Sequence, residues 1–136
     1  MVEGVSQFQA MLRRKAGAAI EAGKAAAIKG GEDLAQAQRF LAPVDDADLL
    51  RSIRVEPAEQ IKTSQGLRDF VGVAVKAGDE TTMVTNSSGG RFQNARLQEF
   101  GTKTRAANPY FFPAWRANRR RIRASITRAI RKVWTS

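Results

Sequence analysis

Small and apolar residues recur along the first forty positions, mostly in steps of three and four. They run through Val5, Phe8, Leu12, Ala16, Ala19, Ile20, Ala27, Leu34, Ala37 and Leu41, the spacing of one face of an amphipathic helix. Alanine richness around Ala25–Ala27 favours the helix and close approach of a neighbour. Met1–Val5 reads as a short extended piece, and Ser6-Gln7-Phe8-Gln9 as a capping box that opens the helix. Gly30-Gly31 predicts a break, followed by a second helical stretch, Glu32–Leu41. Pro43 ends it, because the residue before a proline is pushed out of helical geometry. Asp45, Asp46 and Asp48 predict a turn or a short capped segment.

The period then changes to two. Leu49–Glu56 alternates, and Leu67–Lys76 does so more strongly, with Val71, Val73 and Val75 on one side and Phe70, Gly72 and Ala74 on the other. Ala77-Gly78-Asp79 turns the chain into a third, β-branched strand, Glu80–Thr85. Asn86–Gly90 has the composition of a loop. Ala95–Phe100 fits strand or short helix. Pro113 suits the first turn of a last helix, whose apolar stripe is Trp115, Ile122, Ile126, Ala129, Ile130 and Val133. Arg116, Arg120, Arg123 and Arg131 lie outside that stripe.

These elements predict an α+β fold in a single domain, residues 1–136. A helical segment covers 6–42, an antiparallel sheet of three to four strands 49–100, and a loop with an aromatic hinge 101–112. A basic helix, 113–134, is expected to pack on the sheet.

Charge sharpens the picture. Residues 1–100 hold 13 Lys/Arg and 13 Asp/Glu, whereas residues 101–136 hold 10 Lys/Arg and no acid. The whole net charge of +10 therefore sits in the last quarter, a pattern that points to a polyanionic partner or an acidic protein surface. The chain has no cysteine and no histidine. This removes thiolate nucleophiles, disulfides, zinc–sulfur sites, and Ser–His, Cys–His and His-ligated metal mechanisms. The acids are scattered, so the reading is of a protein that is not an enzyme and needs no cofactor or metal. No apolar run approaches the roughly 20 residues of a membrane span, and the first residues lack a signal-peptide layout. A membrane-surface role for the last helix fails on its shortage of large apolar residues.

Two stretches carry a more specific signal. The first is "APVDDADLLRSIRV", Ala42–Val55; the second is "LQEFGTKTRAANPYFFPAW", Leu97–Trp115. In the second, Pro109 and Pro113 bracket Tyr110-Phe111-Phe112 and pre-order the segment. Three consecutive aromatics cannot all face one way, so at least one is expected to serve a partner. Together, and in this order after an alanine-rich helix, the stretches resemble a family of small phage neck and tail-completion (head–tail joining) proteins of long-tailed phages. Its patterns are "APVDTGxLRxSI" and "EFGT…(A)-x-P-F-[FLM]-x-P-A". The positions that match are Pro43, Val44, Asp45, Leu50, Arg51, Ser52 and Ile53 in the first. In the second they are Glu99, Phe100, Gly101, Thr102, Pro109, Phe111, Phe112, Pro113 and Ala114. The glycine of the first pattern is absent here, its place falling in Ala47-Asp48.

The resemblance implies a structural virion protein forming a homo-oligomeric ring between head connector and tail. A hexamer is favoured over a dodecamer. Its neighbours would be connector or stopper proteins on one side and tail-terminator or tail-tube proteins on the other, and it would assemble in the host cytoplasm. Tyr110, Trp115, Arg116, Arg120, Arg123 and Arg131 are the residues expected to face those partners, with packaged DNA a secondary contact. The alternative is a nucleic-acid-binding module built on the arginine-rich helix, without a recognised DNA-reading motif.

Overall fold

The computed structural model describes residues 2–43 and 46–136. Helix α1, Val2–Leu41, is one uninterrupted rod, about 60 Å long at 1.5 Å per residue. A short helix α2, Ala47–Ser52, leads into strands β1, Arg54–Thr63, and β2, Gly66–Lys76. A single 3-10 turn, Glu80–Thr82, precedes strands β3, Met83–Thr85, and β4, Arg91–Gln93. Helices α3, Asn94–Phe100, and α4, Phe111–Thr135, complete the order. The class is α+β: a long first helix, small antiparallel sheets and a C-terminal helix.

Several expected boundaries move. Helix α1 begins at Val2, so Ser6–Gln9 lies inside it and caps nothing; a lone Gly4 costs about 1 kcal/mol and does not stop a helix. Gly30-Gly31 is no break. A Cβ at Gly30 would sit 2.7 Å from Ile122 Cγ2 of α4, and one at Gly31 would sit 3.1 Å from Val73 and 3.2 Å from Val55 on the hairpin. The two glycines let α4 and the β1–β2 hairpin close on neighbouring faces of one rod. Leu49–Ser52, expected as strand, is the body of α2, because the Asp46 carboxylate caps it by accepting from the Leu49 N–H at 2.9 Å. The expected sheet of three to four strands is two separate two-stranded sheets, β1–β2 and β3–β4. Glu80–Thr82 leaves the strand because Asp79 caps a helical turn there.

The β1–β2 ladder runs from Arg54 opposite Lys76 to Thr63 opposite Gly66, with a bulge between Ala58 and Gln60. Only its base is covered; Ile61, Leu67 and Val71 further out are 40%, 68% and 55% exposed.

Helix α4 was expected on the sheet, and it packs chiefly along α1 instead, antiparallel to it. Gly23 faces Ile130, Gly30 faces Ile122, and Gln38 lies beside Phe111. Small residues on α1 admit branched side chains of α4, which buries more of the α4 stripe than a two-stranded ribbon could. Two core clusters result. One joins Ala35, Ala42, Leu49, Ile53, Ala95 and Tyr110, the other Leu34, Ala114 and Ile122, and Val75 packs against both.

Candidate functional site

The second motif makes the joint between α3 and α4. A helix leaves its first N–H groups without intrahelical partners, and Tyr110, at the N-cap of α4, supplies no side-chain acceptor. Glu99 supplies one from α3. Its carboxylate accepts from the N–H groups of Tyr110 and Phe111, both at 2.9 Å, and of Phe112 at 3.0 Å. The next residue, Pro113, has no N–H to satisfy. One buried carboxylate therefore closes the whole first turn, and its charge lies at the positive end of the α4 dipole.

Gly101 sets the chain's exit from α3. It has φ +75, and a Cβ there would lie 2.6 Å from the Ala107 backbone nitrogen, so no other residue fits. The loop folds back over it, with Asn108 N–H donating to Gln98 O at 2.7 Å and Thr102 N–H to Arg105 O at 2.8 Å.

Tyr110 was expected to face a partner. It is instead 1% exposed, its hydroxyl donating to Ala95 O at 3.1 Å. It is the inward member of the aromatic triplet, because the cap turns its ring toward Leu49 and Ile53. Burial first, and then the charges of Glu99 and Asp46, push its phenol well above the ordinary 10.0. Phe111 is half-buried and Phe112 is 42% exposed. Phe112 stands 6.1 Å from the ring of Phe100, which is itself 62% exposed. These two rings, with Arg96 over Phe100 at 6.0 Å, form an aromatic surface at the joint.

The first motif meets the second in this core. Ser52 is buried; its hydroxyl donates to Leu49 O at 2.7 Å and accepts from Gly78 N–H at 2.9 Å. Ile53 is 1% exposed, Leu50 and Pro43 are half-buried, and Arg51 is exposed, paired to Asp48. Val44 and Asp45 lie outside the described residues. Asp46, one of the three acids read as a turn or a short capped segment, both caps α2 and accepts from the Asn94 side chain, tying α2 to α3. Leu49, fully buried, was missed as a core residue. The sequence allowed a short capped segment at these acids, and the contact with the Leu49 N–H identifies Asp46 as the cap.

The remaining predicted residues lie on α4. Arg116, Arg120, Arg123 and Arg131 are exposed and occupy one arc of about 80° at 3.6 residues per turn. Arg123 lies over the half-buried Trp115 ring at 5.6 Å. Arg121 pairs with Asp33 at 3.6 Å. Arg116, Arg119, Arg120, Arg123, Arg128, Arg131 and Lys132 meet no carboxylate among the described residues. Apart from Arg121, the cations of α4 thus present concentrated positive charge that no carboxylate among the described residues neutralises. Among the described residues there is no group of three or more His, Cys, Asp or Glu that could hold a metal ion. No described helix is long and apolar enough to cross a membrane.

Comparison with known proteins adds one finding. Residues 6–101 match the model of the HK97-gp10-like family, described as "Bacteriophage HK97-gp10, putative tail-component". The match runs from Ser6, within α1, to Gly101 and stops before the aromatic triplet and the basic helix. No curated protein and no solved structure matches the chain.

Proposed function

Because the chain belongs to the HK97-gp10-like family of phage tail components, we propose that it serves as a structural subunit of the neck. In this reading it forms a homo-oligomeric ring, with six copies favoured over twelve, that joins the head connector to the tail. The observation that carries the proposal is the unneutralised cationic arc of α4 set against an electrically balanced body. A ring contact is heterologous, one face of each subunit meeting a different face of the next, and this chain has such unlike faces. The arginines of the arc then serve acidic surfaces of the proteins above or below, and Phe100 and Phe112 give the joint an apolar anchor beside them.

The test is the triple charge reversal Arg116→Glu, Arg120→Glu, Arg123→Glu. All three side chains are exposed, so the fold should survive, with an unchanged circular dichroism spectrum. Head–tail joining should fail, lowering infectious particle yield by about two orders of magnitude, the effect expected of losing several desolvated charge pairs. An unchanged yield rejects the proposal.

The same arc favours a second reading, contact with nucleic acid. Filter binding at low and moderate salt separates the two, because phosphate-dominated binding weakens steeply with salt. A basic lumen would also grip DNA that must move through it, which makes acidic protein surfaces the better counterpart.

A further inference from the structure

We propose that the cleft between β2 and α4 takes up one extended segment of another protein, which pairs its backbone with the outer edge of β2. The segment is apolar at every second position and acidic between. This contact is separate from the ring's and stands without it.

The two edges of the β1–β2 ribbon are not alike. Pro57 has no N–H to give, so its pairing with Val73 is of the non-hydrogen-bonded kind. The remaining backbone groups of both residues therefore point away from the ladder. On β1 this leaves the outer edge without a donor at Pro57, a common way of closing a strand to partners. On β2 it leaves the N–H and C=O of Val73 both aimed outward. No third strand pairs with β2 among the described residues, and no backbone group outside the ribbon bonds to residues 67–75. A two-stranded ribbon is marginal alone and gains from a third strand.

That edge borders a cleft of about 470 Å³, with α1 as its floor, β2 as one wall and α4 as the other; Ile20, Ala27, Val73, Trp115, Ile122 and Ile126 are among its lining. Ile20 is 48% and Val71 55% exposed, so floor and wall are open. The Val73 side chain points down at Gly31 of α1. Residues directly opposite in an antiparallel pair share a face of the sheet. An incoming residue opposite Val73 therefore sends its side chain down into the apolar cleft while its N–H and C=O meet those of Val73. Its two neighbours point up, to the lip, and on α4 that lip is cationic. Arg119 follows Trp115 by four residues and precedes Ile122 by three, so it rises from the same face of the helix. Arg123 lies over the Trp115 ring at 5.6 Å. Both arginines are exposed, and neither meets a carboxylate among the described residues. Apolar side chains below and acids above complement this slot.

The ribbon of a second copy is a poor occupant. Its β1 edge lacks the donor at Pro57, and its β2 edge brings α4 with it, setting Arg119 and Arg123 of both copies against one another. Nucleic acid could take the arginines, but it has no strand backbone to offer Val73 and no apolar side chains for the cleft. A free strand of a neighbouring protein uses the open edge, the apolar floor and the cationic lip together, as in other complexes where a peptide adds to a sheet edge.

The test uses the full chain and a fluorescein-labelled synthetic peptide that alternates valine with glutamate. Its anisotropy should saturate as the chain is added. N-methylation of the valine amides, which face β2, should weaken binding by about tenfold or more, the loss expected of several backbone hydrogen bonds. N-methylation of the glutamate amides, which face away, should leave it nearly unchanged. Arg119→Glu should weaken binding by about tenfold through repulsion at the lip. No saturation at millimolar protein, or equal losses from methylation on either edge, overturns the strand pairing. Wild-type oligomers that dissolve as unlabelled peptide saturates them would place a second copy in the cleft and overturn the choice of occupant. Failure on any of these counts leaves the head–tail joining reading intact, because its own test reverses Arg116, Arg120 and Arg123 and reads particle yield.

Discussion

Tyr110 shows how much one side chain can carry here. It is the chain's single tyrosine, it fills the core between the two motifs, and its hydroxyl has one acceptor, Ala95 O. Its pKa is raised in the fold, chiefly by burial. The stability linked to its neutral form is therefore intact below about pH 10, where the unfolded phenol begins to ionise. It is lost as pH rises from there through the folded value, by at most about 1.4 kcal/mol per pH unit. In an alkaline titration, tyrosinate absorbance should rise only as helical circular dichroism collapses. Absorbance rising near pH 10 with the helices intact would contradict the buried placement. Tyr110→Phe should remove this alkaline dependence and cost about 1 kcal/mol for the lost hydrogen bond. From sequence the residue was one of three adjacent aromatics. Which of them turns inward depends on the cap, a contact made with Glu99, eleven positions away.

At the scale of elements, the decisive contact is the Glu99 cap on α4. Without it, three N–H groups at the start of a 25-residue helix lose a charged acceptor, and no acid stands in the first turn to replace it. Glu99→Ala should destabilise the chain by about 3 kcal/mol, since the lost bonds are charge-assisted and partly buried. Glu99→Gln should cost roughly half of that, keeping one acceptor oxygen but no charge at the helix dipole. Denaturant midpoints measure both, and a change under about 0.5 kcal/mol in the alanine variant would contradict this account of the motif. Periodicity revealed the elements that make most of their own pattern: the α1 stripe, the β2 alternation and the α4 stripe. It failed where a distant element decides. Gly30-Gly31 looks like a break in one dimension and is a close-packing site in three, because Ile122, Val55 and Val73 need that space. Leu49–Ser52 is too short for its period to separate strand from helix, and the Asp46 cap settles it. The stretches Ala42–Val55 and Leu97–Trp115 stood out in the sequence, whereas the cap made by Glu99 and the core shared by Leu49, Ile53 and Tyr110 appear only when α2, α3 and α4 meet.

For the whole molecule, the uneven charge has two consequences of opposite sign. Within an isolated subunit the cations of α4 repel one another. Arg116–Arg120, Arg119–Arg123 and Arg128–Lys132 are like pairs four positions apart on exposed helix, each costing about 0.2–0.5 kcal/mol. Added sodium chloride shortens the Debye length from about 10 Å at 0.1 M to about 3 Å at 1 M. It should therefore raise the thermal midpoint of the subunit by a few degrees, the shift expected for about 1 kcal/mol. Docking of the same arc onto an acidic surface should weaken over that range, since it depends on the attraction that salt screens. Calorimetry of the subunit and a joining assay with purified heads and tails, run across one salt series, read the two effects side by side. A midpoint that falls with chloride would mean that the arginines are already neutralised within the subunit. Joining that strengthens with salt would make the contact apolar, moving the burden from the arginine arc to Phe100 and Phe112.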